Sequence, residues 1–448
     1  MNEAELDQYD DLSKDWRKKT LAYVSAMNNY IQRGIECNWE GEDLPAEPKE
    51  TRKAIALDVL EAVRAANQTG HLGGLRDRFP PAHSPFVRKL EKNGQDLPVV
   101  LLLADGRIVL RVGAPYEAGY VAVVSGDEVT QLPNDIFTVG RSPNRKVFAK
   151  ASGAEVTLHD GWDGAVIARL PWPDGTEGMP AGFHSQRIDG VPTVTKLVPY
   201  DSGDRALLVS PEGVFVLESE RAVRLLPTPE ELQEHFEWLK REYPEDTLSY
   251  DLDMDHGALS PNGRWIACGH QSSEHYLFDA NTYEVAAKVG NLSEYPHFAL
   301  FSNDSQLVAL NSCHFYAGET LGVPLSIVPG LVTKRYEVDK RLVLLEDGAR
   351  VYAGVYRNNE FIIGDAGGYL RAFDGCGNSR WRHFIGSSMG DIDISEDGKT
   401  LVATTYAGFL SIIEMDTGNP DPFAIGNGGH RERRRWLFWK NEPKPLIW

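Results

Sequence analysis

Positive charge is what this 448-residue sequence lacks most: 46 Lys and Arg stand against 65 Asp and Glu, a net charge of −19. A broad phosphate-binding face is thereby disfavoured, because affinity for nucleic acid comes mainly from cationic side chains that displace counterions. Cysteine is equally scarce. Cys37, Cys268, Cys313 and Cys376 form no CxxC pair and no short-spaced disulfide framework, and read as buried thiols. No apolar run approaches the roughly 18–20 residues that cross a bilayer. The opening residues MNEAELDQYDDLSKDW are acidic where a signal peptide is basic and then apolar, so the cytoplasm is the expected compartment. HExxH, paired Cys/His spacings, a GxSxG elbow, a P-loop and a strand-to-helix GxGxxG are all missing. The glycines of GHLGGLRDRF follow a helical pattern and read as a C-cap and linker. Apolar residues are not scarce: 42% of the chain is hydrophobic, with 10 Trp, enough for a large core and too much for a disordered acidic tail.

Two helices open the chain. From Ser13 to about Arg33 there is neither proline nor an early glycine, and Trp16, Tyr23, Met27 and Ile31 fall near one face; from about Glu50 to Asn67, Ile55, Val59 and Val63 repeat at i, i+4, i+8. Both stripes need a partner surface. These make a helical segment over 1–75, and the proline-broken stretch around Pro80 and Pro81 makes 76–96 a linker.

After about Leu97 the texture becomes short apolar runs separated by polar turns. LLADGRIVL, GRSPNRKVFA, YDSGDRALLV, LSPNGRWIAC, FSNDSQLVAL and ISEDGKTLVA share one plan: a strand, a turn rich in Ser, Pro, Asn, Asp or Gly, and a second strand. Each is followed by an apolar strand that ends in Asp or Glu, as in VTLHDGWDGAVIARL and HYLFDANTYEVAAKV. Two hairpins per period of about 40 residues describe a four-stranded blade that stacks on its neighbours. LSPNGRWIACGHQSSEHYLFDANTYEV resembles a repeat of the WD-repeat propellers, and GYLRAFDGCGNSRWRHF resembles one of the quinoprotein-type propellers. His159, Phe278 and Phe373 stand where the first family has the Trp of its Trp-Asp pair, so no subfamily is implied.

The predicted fold is therefore all-β, a β-propeller over 97–426 preceded by the helical segment. The blades read as 97–132, 135–172, 192–227, 250–290, 296–335, 338–387 and 388–426, which makes seven, with six or eight as open alternatives. Tyr316 to Glu346 is the most weakly marked stretch. Thr228-Pro229-Glu230-Glu231 is a capping box with proline at the first helical position, followed by Leu232, Phe236 and Leu239, and predicts a helical insertion over 229–242.

Two places carry candidate chemistry. Asp251, Asp253 and Asp255 would point the same way in an extended chain, and His256 matches Asp391 when the Ser-turns are aligned, with His297 one residue upstream of that register. Asp253, Asp255, His256, His297 and Asp391 are thus candidates for a channel-mouth or metal site, with calcium as the cation that oxygen ligands favour. The plainer alternative is that these are solvated loop acids of an acidic chain. The second place is the C-terminal segment 427–448, where Arg431, Arg433, Arg434 and Arg435 lie beside Trp436, Phe438 and Trp439. It is either an anchor for nucleic acid or a membrane surface, or a tail folded back on an acidic propeller; the charge of the rest favours the second.

The functional expectation is a non-catalytic interaction module whose acidic propeller binds a protein partner with a basic surface, one form being an inhibitor of a basic effector. Neither a cofactor nor nucleic acid is expected as a ligand, and the oligomeric state is left open. The alternative is a calcium-type propeller hydrolase or lactonase using the candidate metal residues.

Overall fold

The computed structural model describes residues 8–40, 44–183, 188, 190–245 and 248–448, so that 1–7, part of the acidic opening, lies outside it. The chain divides into two compact units. One holds Met1–Leu97, Gly364–Ala372 and Arg380–Trp448; the other holds Pro98–Ile363 and Phe373–Ser379.

In the first unit, α1 runs over Asp10–Glu36 and buries Trp16, Thr20, Val24 and Ile31 along one stripe, with two acids in its first turn and Arg33 in its last, as the helix dipole favours. α2 spans Ala56–Thr69 and ends on Gly70, which takes a left-handed conformation (φ +72°). It starts later than Glu50 because Glu50 and Arg52 are tied to each other: the Arg52 backbone N–H and guanidinium both donate to the Glu50 carboxylate, at 2.6–2.9 Å, and the guanidinium lies over Tyr23. The stretch read as a linker contains two more short helices, α3 (Leu75–Arg78) and α4 (Val87–Asn93). Trp16, Val63, Phe79 and Phe86 from this segment share one core with Phe409 and Trp448.

The strands form seven sheets. The first three are β1–β4 (Val99–Leu102, Ile108–Val112, Tyr120–Ser125, Glu128–Gln131), β5–β8 (Ile136–Arg141, Val147–Ser152, Val156–Asp160, Val166–Leu170) and β9–β12 (Lys196–Pro199, Ala206–Ser210, Gly213–Leu217, Ala222–Leu226). Helix α5, Pro229–Glu242, follows with both halves of its capping box in place: Glu231 N–H to Thr228 Oγ1 at 3.2 Å, and Thr228 N–H to Glu231 Oε2 at 2.7 Å. The fourth sheet contains β13–β16 (His256–Leu259, Trp265–Gly269, His275–Asp279, Val285–Val289), and the fifth contains β17 (Tyr295–Phe301), β18 (Leu307–His314) and β19 (Ala317–Pro324).

The weakly marked stretch is where the chain departs from a simple period. β20, Leu331–Val332, pairs in parallel with β16 as a fifth strand of the fourth sheet, and β21, Val343–Asp347, supplies the outer strand of the fifth. The sixth sheet, β22–β25, comprises Val351–Arg357, Glu360–Asp365, Tyr369–Asp374 and Ser379–Phe384. The seventh has β26 (Met389–Ile394), β27 (Thr400–Thr405) and β28 (Phe409–Glu414), then β29 (Arg431–Leu437) and β30 (Leu446–Ile447). The protein is a seven-bladed β-propeller with an N-terminal helical segment.

The Ser-turns have a physical cause that repeats. Ser142, Ser260, Ser302 and Ser395 each donate to the Asn or Asp two residues on, at 2.6–2.8 Å, and accept the backbone N–H five residues on, at 2.9–3.0 Å. The hydroxyl thereby closes the turn between a blade's first two strands, and Asx supplies the matching acceptor.

Candidate functional site

The acidic run before β13 is not extended. Met254 takes φ +56°, and Leu252 N–H is tied to Pro211 O at 2.6 Å, so the alternation that would align three carboxylates is broken. Asp251 and Asp253 are exposed. Asp255 turns inward, where Thr195 Oγ1 donates to its Oδ2 at 2.5 Å. Burial pushes the Asp255 carboxyl up to about 6 despite that bond, with Glu212 and Asp253 adding repulsion. Asp251 is raised by the same causes, burial first.

His256, the first residue of β13, packs against His275 of β15: His256 Nε2 lies 3.2 Å from His275 Nδ1, and His256 Nδ1 lies 3.3 Å from Met254 O. The carbonyl at Nδ1 requires that nitrogen to carry the proton, so His256 Nε2 accepts from His275, and His275 Nε2 is left as a buried lone pair without a hydrogen-bond partner. Gly269 makes room: a Cβ there would lie 2.8 Å from His256 Cε1. His297 on β17 donates through Nδ1 to Val351 O at 2.6 Å and accepts at Nε2 from Arg350 Nη2 at 3.1 Å. Burial is the first cause of depressed pKa in all three, holding His256 well below the usual range, His275 at about 3 and His297 at about 4, the last also disfavoured by Arg350.

His256 and His275 thus bond each other while His297 bonds Val351 and Arg350, and three buried, neutral imidazoles so held are poorly matched to base chemistry near neutral pH. Among the described residues, no group of three or more His, Cys, Asp or Glu side chains is disposed to hold a metal ion. Asp391 belongs to the other compact unit, on β26, where its Oδ1 accepts from Ile392 N–H at 2.9 Å and its own N–H donates to Thr404 Oγ1 at 2.9 Å.

The basic segment is β29 itself, antiparallel to β28. Arg435 is buried and donates to both carboxylate oxygens of Glu432, at 2.8 and 3.1 Å; Arg431 faces Asp77 at 3.8 Å and Arg433 faces Glu414 at 3.7 Å. Arg434 pairs in register with Ile412. Trp436, Phe438 and Trp439 are buried, and Trp439 donates its indole N–H to Ala407 O at 3.1 Å. The expected end of the seventh blade at 426 is therefore wrong: the segment read as a tail is itself the fourth strand of that sheet.

One surface feature was missed. β18 and β19 are joined by a two-residue turn, Phe315-Tyr316, closed by the pair His314 and Ala317. Phe315 sits at φ +50°, where hairpins prefer glycine, and the two side chains are 73% and 75% exposed. His314 stacks near Tyr295 and bonds Glu294 Oε2 at 2.6 Å, and Arg350 fixes the turn by donating to the carbonyls of Phe315 and Tyr316, at 3.3 and 3.1 Å. The only signal in the sequence is a pair of aromatics where turn residues belong.

The sequence matches no family model and no curated protein. Among solved structures the chain is similar to the β-propeller domain of Cps50 (Swd1) from Myceliophteria thermophila, with TM-score 0.44 and 13% identity over 69% of this chain and 92% of that one. It is also similar to Hsv2 from Kluyvelomyces marxianus, with TM-score 0.42 and 9% identity over 75% and 99%. Hydrazine synthase from Kuenenia stuttgartiensis gives TM-score 0.45 and 12% identity over 72% and 97%. The propeller stands on its own seven sheets rather than on these likenesses.

Proposed function

We propose that this protein is a non-catalytic interaction module that binds a protein partner with a basic surface. The observation that carries this reading is the Phe315-Tyr316 turn, two large exposed aromatics of which Phe315 is held in a left-handed backbone conformation that disfavours it. Exposed aromatics of this kind are typical anchors of protein interfaces, and unfavourable backbone retained at a surface turn points to a role other than stability.

Charge supports the choice of partner. The unit that carries the turn holds 22 Lys and Arg against 38 Asp and Glu, a net −16, whereas the other holds 24 against 27, a net −3. Such a field speeds encounter with basic surfaces and repels acidic ones. The four cysteines are unpaired, with Cys268 and Cys313 buried but, against expectation, Cys37 only half-buried and Cys376 exposed; free thiols fit a reducing compartment such as the cytoplasm, and no helix among the described residues is long and apolar enough to cross a membrane.

The test uses the full-length chain and a Phe315→Gly/Tyr316→Asn variant as baits in native extract at low ionic strength. The wild type is expected to retain a basic protein in stoichiometric amount, and the variant and raised salt to release it. Retention of no protein, or of the same proteins by both baits, would sink the proposal.

A further inference from the structure

The aromatic turn is one side of a larger surface. Of the seventeen exposed large hydrophobic side chains among the described residues, six lie between 315 and 344, so apolar surface is concentrated on and beside the fifth sheet. Tyr336, 63% exposed, repeats the oddity of Phe315: it too is an aromatic residue in the left-handed region, at φ +61°. Its N–H donates to Asn291 O at 2.9 Å, and Asn291 Nδ2 donates to Glu294 O at 2.7 Å, so Tyr336 is held against the loop that leads into β17. Tyr295, the first residue of β17, pairs in register with Cys313, two residues before Phe315. Its hydrogen bond to Glu294 is the first cause that raises the Tyr295 phenol, and the nearby Tyr336 is a lesser one. The rings of the turn, Tyr295 and Tyr336 therefore gather at one end of this sheet.

The charges at that end are mostly negative. Glu294 is exposed, and hydrogen bonds from Tyr295 first and His314 next hold its carboxyl below the usual range. Glu319 on β19 stands directly opposite Asp347 on β21, a like-charge cross-strand pair; burial first and Asp347 second raise the Glu319 carboxyl. Ser293 hydrogen-bonds Glu319 and so links this pair to Glu294. Against these three acids, Arg350 is the cation tied to the turn. In the segment after β20, Lys334, Arg335 and Arg341 have acids of their own: Glu337 at 3.6 Å, Glu274 at 3.8 Å and Asp339 at 2.7 Å.

Aromatic rings facing solvent beside an excess of carboxylates fit one kind of side chain. A guanidinium is planar, stacks on aromatic faces and donates to a carboxylate in a fixed fork, whereas an ammonium is a strongly hydrated point charge. We infer that this end of the fifth sheet recognises an arginine of the protein partner, whose guanidinium lies on the exposed rings of the turn and Tyr336 and donates to Asp347 and Glu294. A cation placed there also offsets the repulsion between Asp347 and Glu319. The inference rests on the interaction reading and narrows it from a basic surface to an arginine, with Tyr336 and Asp347 as further contacts.

The full chain should be titrated into fluorescein-labelled octapeptides that alternate glycine with arginine, lysine or citrulline, following anisotropy at about 0.1 M salt, where long-range attraction to the acidic unit is partly screened. The arginine peptide is expected to bind with Kd of about 100 μM or tighter, the lysine peptide at least about fivefold more weakly, and the citrulline peptide more weakly still. Phe315→Gly/Tyr316→Asn and Tyr336→Gly should each weaken the arginine peptide at least about fivefold, and Asp347→Asn about threefold. Glu128→Gln, which removes one charge from the exposed start of β4, should leave its binding unchanged. Lysine and arginine peptides bound alike, arginine binding that survives the aromatic variants, or no binding of any of the three would each overturn the arginine assignment. None of these outcomes needs a partner from an extract: a protein retained by the wild-type bait and released by the turn variant, together with equal peptide affinities, would remove the arginine assignment alone and leave the interaction reading standing.

Discussion

Trp448 donates its indole N–H to the carbonyl of Phe79 at 2.5 Å, and its ring meets Phe86 edge-on at 5.4 Å between centroids. β30 and the helical segment therefore share one core, which also takes in Trp439 and Leu437. Trp448→Ala is expected to lose about 3–5 kcal/mol, the usual range for removing a buried aromatic side chain. Urea unfolding of the two proteins measures it; a loss below about 1 kcal/mol would mean that the segment adds little to this core.

The Ser-turn makes a second expectation concrete. In Ser260→Ala, the buried Trp265 N–H loses its acceptor and Asn262 loses a donor. The expected loss is about 1–3 kcal/mol, the range for leaving a buried polar group unsatisfied. Ser395→Ala removes the same pair of bonds in the seventh blade, at Asp397 and Thr400, but in a more exposed turn, and should cost about 0.5–1.5 kcal/mol. An unchanged urea midpoint in both would show that the hydroxyl is incidental to the turn.

Those turns were legible because their bonds are local, spanning two and five residues, and a local bond leaves a motif. The capping box of α5 was legible for the same reason. What was not legible depended on partners far along the chain. Leu331–Val332 leaves the fifth blade's stretch to pair with Ala287 and Lys288, and no periodicity within 316–346 encodes that. β29 was masked by its charges: burial alternates along its first residues, with Glu432 inside and Arg431 and Arg433 outside, but a run of arginines hides a period of two. Among the candidate site residues, the register placed His256 at the start of an inner strand, yet its actual partner, His275, comes from a strand two removed. The alignment of Asp251, Asp253 and Asp255 failed on one dihedral angle, that of Met254.

Acid titration should expose the buried histidines. His83 and His297 at about 4, and His275 at about 3, all have folded values below the unfolded value near 6.5. Their stability contribution is complete above that unfolded value and is lost as pH falls toward the folded ones, so stability should drop between about pH 6.5 and 5. Asp255 acts in the opposite sense: its folded value, about 6, lies above the unfolded one, so its contribution is present at low pH and lost as pH rises through about 6. Asp255→Asn should therefore be more stable than wild type at pH 7, by about 1–3 kcal/mol, and the advantage should shrink toward pH 4. Urea midpoints across this range check both; a wild-type curve flat from pH 6.5 to 5 would show that these imidazoles are solvated in solution.

The Phe315-Tyr316 turn separates stability from binding most cleanly. A non-glycine residue held in the left-handed region costs about 1–3 kcal/mol, and glycine relieves that strain while itself losing about 0.5–1 kcal/mol to the greater entropy of the unfolded chain. Phe315→Gly/Tyr316→Asn exposes no core, since both rings already face solvent and the turn is anchored through its carbonyls to Arg350. The variant is thus expected to gain about 1 kcal/mol in a urea melt while losing partner retention. A residue pair selected for folding alone would show the reverse sign. If the variant is instead destabilised by more than about 1 kcal/mol, the aromatic side chains serve the fold, and the observation that supports the interface is withdrawn.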